Sequence, residues 1–137
     1  MSEAPISGSV GRRSVGAESG ARREVAGSRI VDTAALEWRA FDEAPGVSYK
    51  VLNKTDAGAL TLLLRLDPGA AYLSHTHPAG EEYFVLSGLL DDLGASYGPG
   101  SYVYHPPGST HTPKSRAGCD VLIFLPAGVE VHGKGAA

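Results

Sequence analysis

Short runs in which apolar and polar residues alternate recur along most of this chain. Alternation with a period of two predicts β-strands whose apolar side chains share one face. Turns rich in glycine and proline separate the runs, for example at Pro78-Ala79-Gly80. The predicted strands cover residues 47–53, 59–66, 71–77, 83–87, 89–93, 101–105, 110–115 and 119–125. Short strands at this regular spacing, with little helical periodicity, predict an all-β fold, either a closed antiparallel barrel or a double-sheet jelly roll.

The first 29 residues lack this pattern. They consist mainly of Ser, Gly, Ala, Arg and Glu, without an aromatic residue, and such a segment buries too little apolar surface to offset the entropy of ordering. We therefore expect a disordered tail over residues 1–29 and one folded domain over residues 30–137. An arm that adds to a partner subunit is the alternative interpretation. Residues 32–38 form either a short helical turn capped by Asp32 or an edge segment that leads Trp38 into the core.

Composition and charge exclude several classes of protein. A length of 137 residues with 42% hydrophobic residues suits one compact domain. The longest apolar run, residues 121–125, is far shorter than the roughly 20 residues that span a bilayer. Residues 1–29 hold five arginines against three glutamates, a net charge of +2. Because the whole chain carries −3, the remaining residues carry about −5. Because the folded part is acidic and the basic tail lacks aromatic residues, we expect neither nucleic-acid nor membrane binding.

The single cysteine, Cys119, excludes an internal disulfide framework and a zinc finger built on paired thiolates. The arginine pair at residues 12–13 is followed by no apolar segment of the kind that an export signal needs. We therefore expect an uncleaved protein of the cytoplasm. Cys119 follows a glycine at the start of a strand, where a buried, unreactive thiol is the expected state.

Candidate chemistry centres on His75 and His77. On a strand, two residues separated by one other point to the same face about 6.6 Å apart, so both imidazoles could bind one metal ion. Glu81 follows across a turn, and His111 comes from a distant strand that a barrel would bring to the same interior. Three imidazoles and one carboxylate suit Zn, Fe, Mn, Ni, Co or Cu. On spacing alone, histidines in surface loops are an equally good interpretation.

These residues resemble two motifs of the cupin superfamily. The first, G(x)5HxH(x)3E(x)6G, is matched by Gly69, His75, His77, Glu81 and Gly88. The second, G(x)5PxG(x)2H(x)3N, is matched by Gly100, Pro106, Gly108 and His111, with Ser115 in place of the asparagine. Residues 32–125 further resemble the ChrR-like cupin domain. The resemblance implies a jelly-roll barrel that holds one divalent metal ion through His75, His77, Glu81 and His111.

In ChrR-type anti-sigma factors, this domain follows a helical domain that binds zinc through His and Cys ligands. A chain with Cys119 as its single cysteine cannot supply such ligands. We therefore expect a stand-alone, single-domain cupin.

Several neighbours of the predicted ligands are candidates for catalysis or for structure. Strand alternation directs Glu81 inwards and Glu82 outwards. Tyr83 shares the inner face, either as pocket wall or as a buried ring bonded to backbone. His105 either assists the metal site as a ligand-orienting group or proton carrier, or caps the following proline turn. The catalytic candidates are therefore Glu81, Tyr83 and His105. Three further tyrosines are expected either at the mouth of the barrel or on a sheet face: Tyr97, Tyr102 and Tyr104. His132 is expected in solvent.

The resemblance implies two classes of function. An octahedral Fe, Mn or Ni ion would leave positions open for a substrate, and related cupins include dioxygenases that cleave diketones or flavonols. That interpretation predicts a mononuclear metal-dependent oxidoreductase, dioxygenase-like, acting on a small chelating diketone or phenolic molecule. A closed tetrahedral zinc site would instead predict a non-catalytic sensor or binding module of the ChrR-like type. In both cases unpaired edge strands favour a homodimer.

Overall fold

The computed structural model describes residues 20–133, which form fifteen β-strands and one 3-10 turn. The strands are β1 (Arg22–Val25), β2 (Ser28–Val31), β3 (Arg39–Ala40), β4 (Val47–Lys54), β5 (Leu60–Leu66), β6 (Ala70–Ala71), β7 (Ser74–His77), β8 (Glu81–Gly88), β9 (Leu90–Asp92), β10 (Ala95–Tyr97), β11 (Tyr102–His105), β12 (Ser109–His111), β13 (Lys114–Ser115), β14 (Cys119–Leu125) and β15 (Glu130–Gly133). The predicted all-β class is confirmed. In the described part of the chain, no helix has the length and apolar character needed to cross a membrane.

Four antiparallel sheets build the domain. A six-stranded sheet has the order β11-β8-β14-β5-β4-β3, and a four-stranded sheet has the order β10-β9-β13-β6. A three-stranded sheet, β12-β7-β15, carries two of the candidate ligand segments, and β1 and β2 form a separate hairpin. The sheets do not join by hydrogen bonds into one closed cylinder, so of the two predicted architectures the jelly roll is the one observed.

The core forms because alternate residues of the central strands face inwards. Leu62 and Leu64 of β5 are buried, as are Val121 and Ile123 of β14. The two strands pair so that Val121 lies opposite Leu64 and Ile123 lies opposite Leu62. Each pair removes two apolar side chains from water on the same face, which fixes the register of the sheet.

Order begins earlier than residue 30, where the domain boundary was predicted. The β1–β2 hairpin lies at residues 22–31, partly within the expected tail, and every side chain of β1 is exposed. Polar contacts attach it to β4, since Arg22 donates to the carbonyl of Val51 at 2.5 Å and Arg29 donates to Asn53 Oδ1 at 2.6 Å. A hairpin held by arginines gives no apolar alternation in the sequence, which explains why the pattern did not predict these two strands. Residues 1–19 lie outside the described range.

The segment after the hairpin docks on the outside of β4 and β5. Asp32 caps the 3-10 turn Thr33–Ala35, as predicted, by accepting from the Ala34 amide at 3.3 Å. Trp38 then stacks against two cations: Arg65 Cζ lies 4.1 Å and Lys50 Nζ 4.7 Å from a ring centroid.

Candidate metal centre

Strand pairing brings distant histidines side by side. β7 and β12 pair so that His75 lies opposite His111, and His77 lies opposite Ser109. Glu81 is the first residue of β8, directly after the turn that ends β7. The predicted alternation holds here, because Glu81 is buried whereas Glu82 is partly exposed and accepts a hydrogen bond from Tyr102.

The four predicted ligands converge on one buried point. The three imidazole rings lie 4.6 to 4.7 Å apart, centroid to centroid. Nε2 of His75 is 3.1 Å from Nε2 of His111. The carboxylate of Glu81 reaches both neighbours, with Oε2 3.5 Å from His77 Nε2 and Oε1 3.6 Å from His111 Nε2. One donor atom from each residue lies within 4.8 Å of all the others.

Hydrogen bonds on the far side of each ring set its orientation. His75 Nδ1 donates to the Leu73 carbonyl at 2.7 Å, and His111 Nδ1 donates to the Asp92 carboxylate at 3.0 Å. His77 Nδ1 pairs with the Ser109 hydroxyl at 2.9 Å. A carbonyl and a carboxylate can only accept, so Nδ1 of His75 and Nδ1 of His111 carry protons, and in a neutral ring Nε2 then keeps its lone pair for a metal ion. Partners of this type orient histidine ligands in metal sites.

The donor set fits a divalent transition-metal ion. Nε2 of His75 and Nε2 of His111 face each other at 3.1 Å, so when both rings are neutral a cation between them removes the repulsion of their lone pairs. Nitrogen ligands at about 2.0–2.1 Å from an ion, bound at right angles, are about 3.0 Å apart. His77 Nε2 is buried without a hydrogen-bond partner, which a ligand bond would supply. Burial lowers the pKa of His75 to about 4, so its imidazole is neutral, as metal binding requires.

Asp92 is a residue of the site that the sequence analysis missed. Its carboxylate accepts hydrogen bonds from Tyr83 Oη at 2.8 Å, His105 Nε2 at 3.1 Å and His111 Nδ1 at 3.0 Å. Although burial opposes ionisation, the bonds from His111, Tyr83 and His105 lower the pKa of Asp92 to about 2. Its position two residues after the buried Leu90, on a predicted strand, was the available signal.

The structure places Tyr83 and His105 around this carboxylate. The Tyr83 hydroxyl bonds to Asp92 rather than to the backbone, and the Tyr83 ring also lines the central cavity. The ring of His105 lies 4.5 Å from that of His111 and 5.4 Å from that of His77. Both candidates therefore contact the site, and their catalytic roles stay predictions.

A small apolar cavity adjoins the candidate ligands. The centre of a water-sized molecule can occupy about 30 Å³ of this cavity, so it has room for roughly two waters. His75, Glu81 and His111 lie on its wall beside apolar side chains such as Leu62, Leu64, Leu90, Val121, Ile123, Leu125 and Val129. Tyr72 and Tyr83 also line it. Burial raises the pKa of Tyr72.

Other singled-out residues lie outside this arrangement. Tyr102 and Tyr104 are exposed on the outer face of the six-stranded sheet rather than at the mouth, whereas Tyr97 packs against the core. Ser115, which replaces the motif asparagine, donates to the Leu89 carbonyl at 2.5 Å. Cys119 is buried and His132 is exposed, and both positions were predicted.

Comparison with solved structures shows that this fold occurs in known proteins. A putative acetylacetone dioxygenase from Methylibium petroleiphilum PM1 superposes with a TM-score of 0.73 at 17% identity, over 84% of this chain and 90% of that one. An acetylacetone dioxygenase from Acinetobacter johnsonii gives a TM-score of 0.64 at 18% identity, over 73% and 76%. The complex of Rhodobacter sphaeroides SigE with the anti-sigma ChrR gives 0.56 at 27% identity, over 66% and 48%.

Sequence comparison assigns the family. No functionally curated protein matches the chain. The ChrR Cupin-like domain family matches residues 26–128, which include all four candidate ligands and Asp92. The convergent histidines, the jelly-roll neighbours and this match agree, and the chain belongs to the ChrR Cupin-like domain family.

Proposed function

We propose that this protein binds one divalent metal ion through His75, His77, Glu81 and His111, and is a metal-dependent dioxygenase of a small chelating diketone or phenol. The convergence of three imidazoles and one carboxylate beside an apolar cavity is the observation that carries the proposal. Two structural neighbours named as acetylacetone dioxygenases, one of them putative, support it, since they have the same fold.

The chemistry follows from the charges of the donor set. Three neutral imidazoles and one carboxylate leave a divalent ion with a net positive charge, which would polarise a bound carbonyl or phenolic oxygen. Glu81 is the one anionic member, and when displaced from the ion it can accept a proton from the substrate. Tyr83 and His105 act on the other side of His111, where their hydrogen bonds hold Asp92 in its ionised form.

Elemental analysis and oxygen uptake test this function together. Protein purified without added metal is expected to contain one equivalent of Fe, Mn or Ni, and to consume oxygen with diketones or phenols. His77→Gln should lose the metal, whereas the control His132→Gln, at an exposed histidine, should keep it. Failure of the wild-type protein to bind any metal would contradict the proposal, as would full metal retention in His77→Gln.

A non-catalytic zinc module of the ChrR-like type is the second candidate. The identity of 27% to a chain of the SigE–ChrR complex favours it, as does a cavity with room for only about two waters. This candidate predicts one tightly held zinc ion and no oxygen uptake with any diketone or phenol. Iron together with substrate-dependent uptake would exclude it.

We further propose a homodimer formed at the β11 edge of the six-stranded sheet. The outer face there carries four exposed aromatic side chains, Phe84, Tyr102, Tyr104 and Phe124, which we call the aromatic face. Tyr102 lies opposite Phe84 across the β11–β8 pair, so the rings form one patch. Because β11 is also an edge strand that no other described segment pairs with, a second copy could extend the sheet and cover the patch at once.

We propose a cytoplasmic location for this dimer, since the described fold depends on no disulfide and keeps its cysteine as a buried thiol. Fractionation of cells that express the full chain, with detection by antibody, tests the location. Recovery from the exterior would contradict it.

A further inference from the structure

The hydroxyl group of Tyr72 has no hydrogen-bond partner, although the residue is only 4% exposed. Buried hydroxyl groups almost always find a partner, so an exception calls for an explanation. The ring of Tyr72 lies 5.1 Å from that of His75, and the residue lines the cavity beside the candidate metal ligands. Tyr72, which carries the unpaired hydroxyl, is therefore a residue of the cavity wall.

The other polar groups of the cavity are either hydrogen-bonded or candidate metal ligands. His75 and His111 are oriented by Leu73 and Asp92, and the Tyr83 hydroxyl donates to Asp92. Among the described residues that line the cavity, none is a lysine or an arginine. Apart from the proposed ion, the wall thus offers no cationic side chain to a phosphate or to a free carboxylate, and this favours an uncharged molecule.

We propose that Tyr72 binds the substrate by donating a hydrogen bond to one of its oxygens, and that the substrate is a small uncharged molecule with an apolar body and two oxygens. This assignment rests on the proposed function, because the metal would hold the ligand beside Tyr72. Apolar walls favour the hydrocarbon part, while the metal and the phenol recognise the oxygens. Because the cavity has room for only about two waters, binding of such a molecule requires the side chains of its wall to move apart. A neutral diketone has this chemistry.

Tyr49 provides a matched control in the same part of the core. Its hydroxyl is also buried without a partner, and both tyrosine rings lie 5.0 Å from that of Phe41. Tyr49, however, is not among the residues that line the cavity. Tyr72→Phe and Tyr49→Phe therefore remove the same group from similar surroundings, but only the first removes it from the site.

Thermal unfolding of the metal-loaded protein without substrate is the first measurement. A hydroxyl without a protein partner stabilises nothing, so Tyr72→Phe and Tyr49→Phe should unfold at the wild-type temperature or above it. A lower unfolding temperature for Tyr72→Phe, or failure of this variant to fold, would show a structural role for the hydroxyl and overturn the assignment.

The second measurement is ligand binding to the cobalt(II)-loaded protein, which is monitored through the visible absorption of the ion. The probes are 2,4-pentanedione, with an apolar body and two oxygens, and azide, which binds an open metal position without needing a hydrogen bond. Tyr72→Phe should weaken pentanedione binding about tenfold, with azide affinity and cobalt content unchanged. Tyr49→Phe should match the wild type for both probes.

The outcomes separate the two proposals. Pentanedione binding that is equally tight in Tyr72→Phe and wild type overturns the assignment of Tyr72 alone, as does an equal loss in Tyr49→Phe. A wild-type spectrum that responds to neither probe shows that the ion has no open position. That result overturns the dioxygenase proposal and the Tyr72 assignment together.

Discussion

At the scale of single residues, Asp92 connects the candidate ligand His111 to the rest of the interior. It is the shared acceptor for His111, Tyr83 and His105, and all three bonds converge on a carboxylate with a side chain only 2% exposed. Outer partners of this kind fix the tautomer of a histidine ligand and raise its basicity. The same set of side chains, Asp92, His105 and His111, is itself close enough to hold an ion.

Asp92→Asn should weaken metal affinity about 10- to 100-fold, because an amide holds the Nδ1 proton of His111 less firmly than a carboxylate. Competition with a chromophoric chelator measures the affinity. Asp91→Asn is the matched control, since its carboxylate bonds to Ser96 and Arg116. Equal affinity in wild type and Asp92→Asn would contradict the role given to Asp92.

Cys119 should behave as an inert part of the core. Burial raises the pKa of its thiol, and the residue is 5% exposed, so the reactive thiolate is both scarce and inaccessible. We expect iodoacetamide at pH 8 to leave the native protein unmodified for hours and to label it rapidly in denaturant. Mass spectrometry measures the fraction labelled. Rapid labelling of the native, folded protein would show that the thiol is accessible.

At the scale of elements, a close backbone approach locks β8 against the start of β14. Gly88 ends β8 with φ at +74°, and a Cβ placed there would lie 2.8 Å from the Cα of Cys119 and collide with the Gly118 carbonyl oxygen. Both the dihedral angle and the contact therefore require glycine. This requirement gives a physical reason for the glycine that closes the first motif.

Gly88→Ala should lower the free energy of unfolding by more than about 4 kcal/mol, because backbone atoms on both sides of the contact would have to move. Gly58→Ala separates the clash from the effect of φ, since Gly58 has φ at +98° with nothing within 4 Å. That control should cost about 1–2 kcal/mol. Urea titration measures both values. A similar loss in the two variants would mean that the contact costs nothing beyond the dihedral strain.

Sequence patterns predicted the strands that bury apolar side chains and missed those that do not. The predicted run 119–125 coincides with β14, because alternate residues there fill the core. β1 and β2 were missed because arginines, not apolar residues, attach them to β4. The four candidate ligands follow from two motifs, whereas Asp92 belongs to neither motif and its partners come from three other strands. Such a residue is recognised once the pairing of the strands is known.

At the scale of the whole molecule, one side of the six-stranded sheet is aromatic, and within residues 20–133 no segment covers it. Tyr102 and Tyr104 are 57% and 58% exposed, beside Phe84 and Phe124 on the neighbouring strands. An exposed apolar patch of several contiguous rings is uncommon on a monomer and is typical of an interaction surface. The candidate metal ligands lie on the inner side of the fold, so association at this face leaves the cavity unchanged.

Tyr104→Lys should convert the proposed dimer to single chains, because a charge at the centre of a buried face is costly to desolvate. Sedimentation equilibrium should give twice the chain mass of 14.2 kDa for the wild type and the single-chain mass for the variant. Leu93→Lys, at an exposed residue in the β9–β10 turn, is the control and should remain a dimer. A wild-type protein that sediments as one chain would contradict the dimer.

The stacking of Trp38 makes its intrinsic fluorescence a probe of the six-stranded sheet. It is the only tryptophan in the chain, and its ring contacts Lys50 of β4 and Arg65 of β5. Arg65 is held in turn by Asp120 of β14 through two hydrogen bonds of 2.8 and 2.9 Å. Indole fluorescence therefore senses the pairing of three central strands, so that any loosening of that sheet changes the emission spectrum of an unlabelled sample.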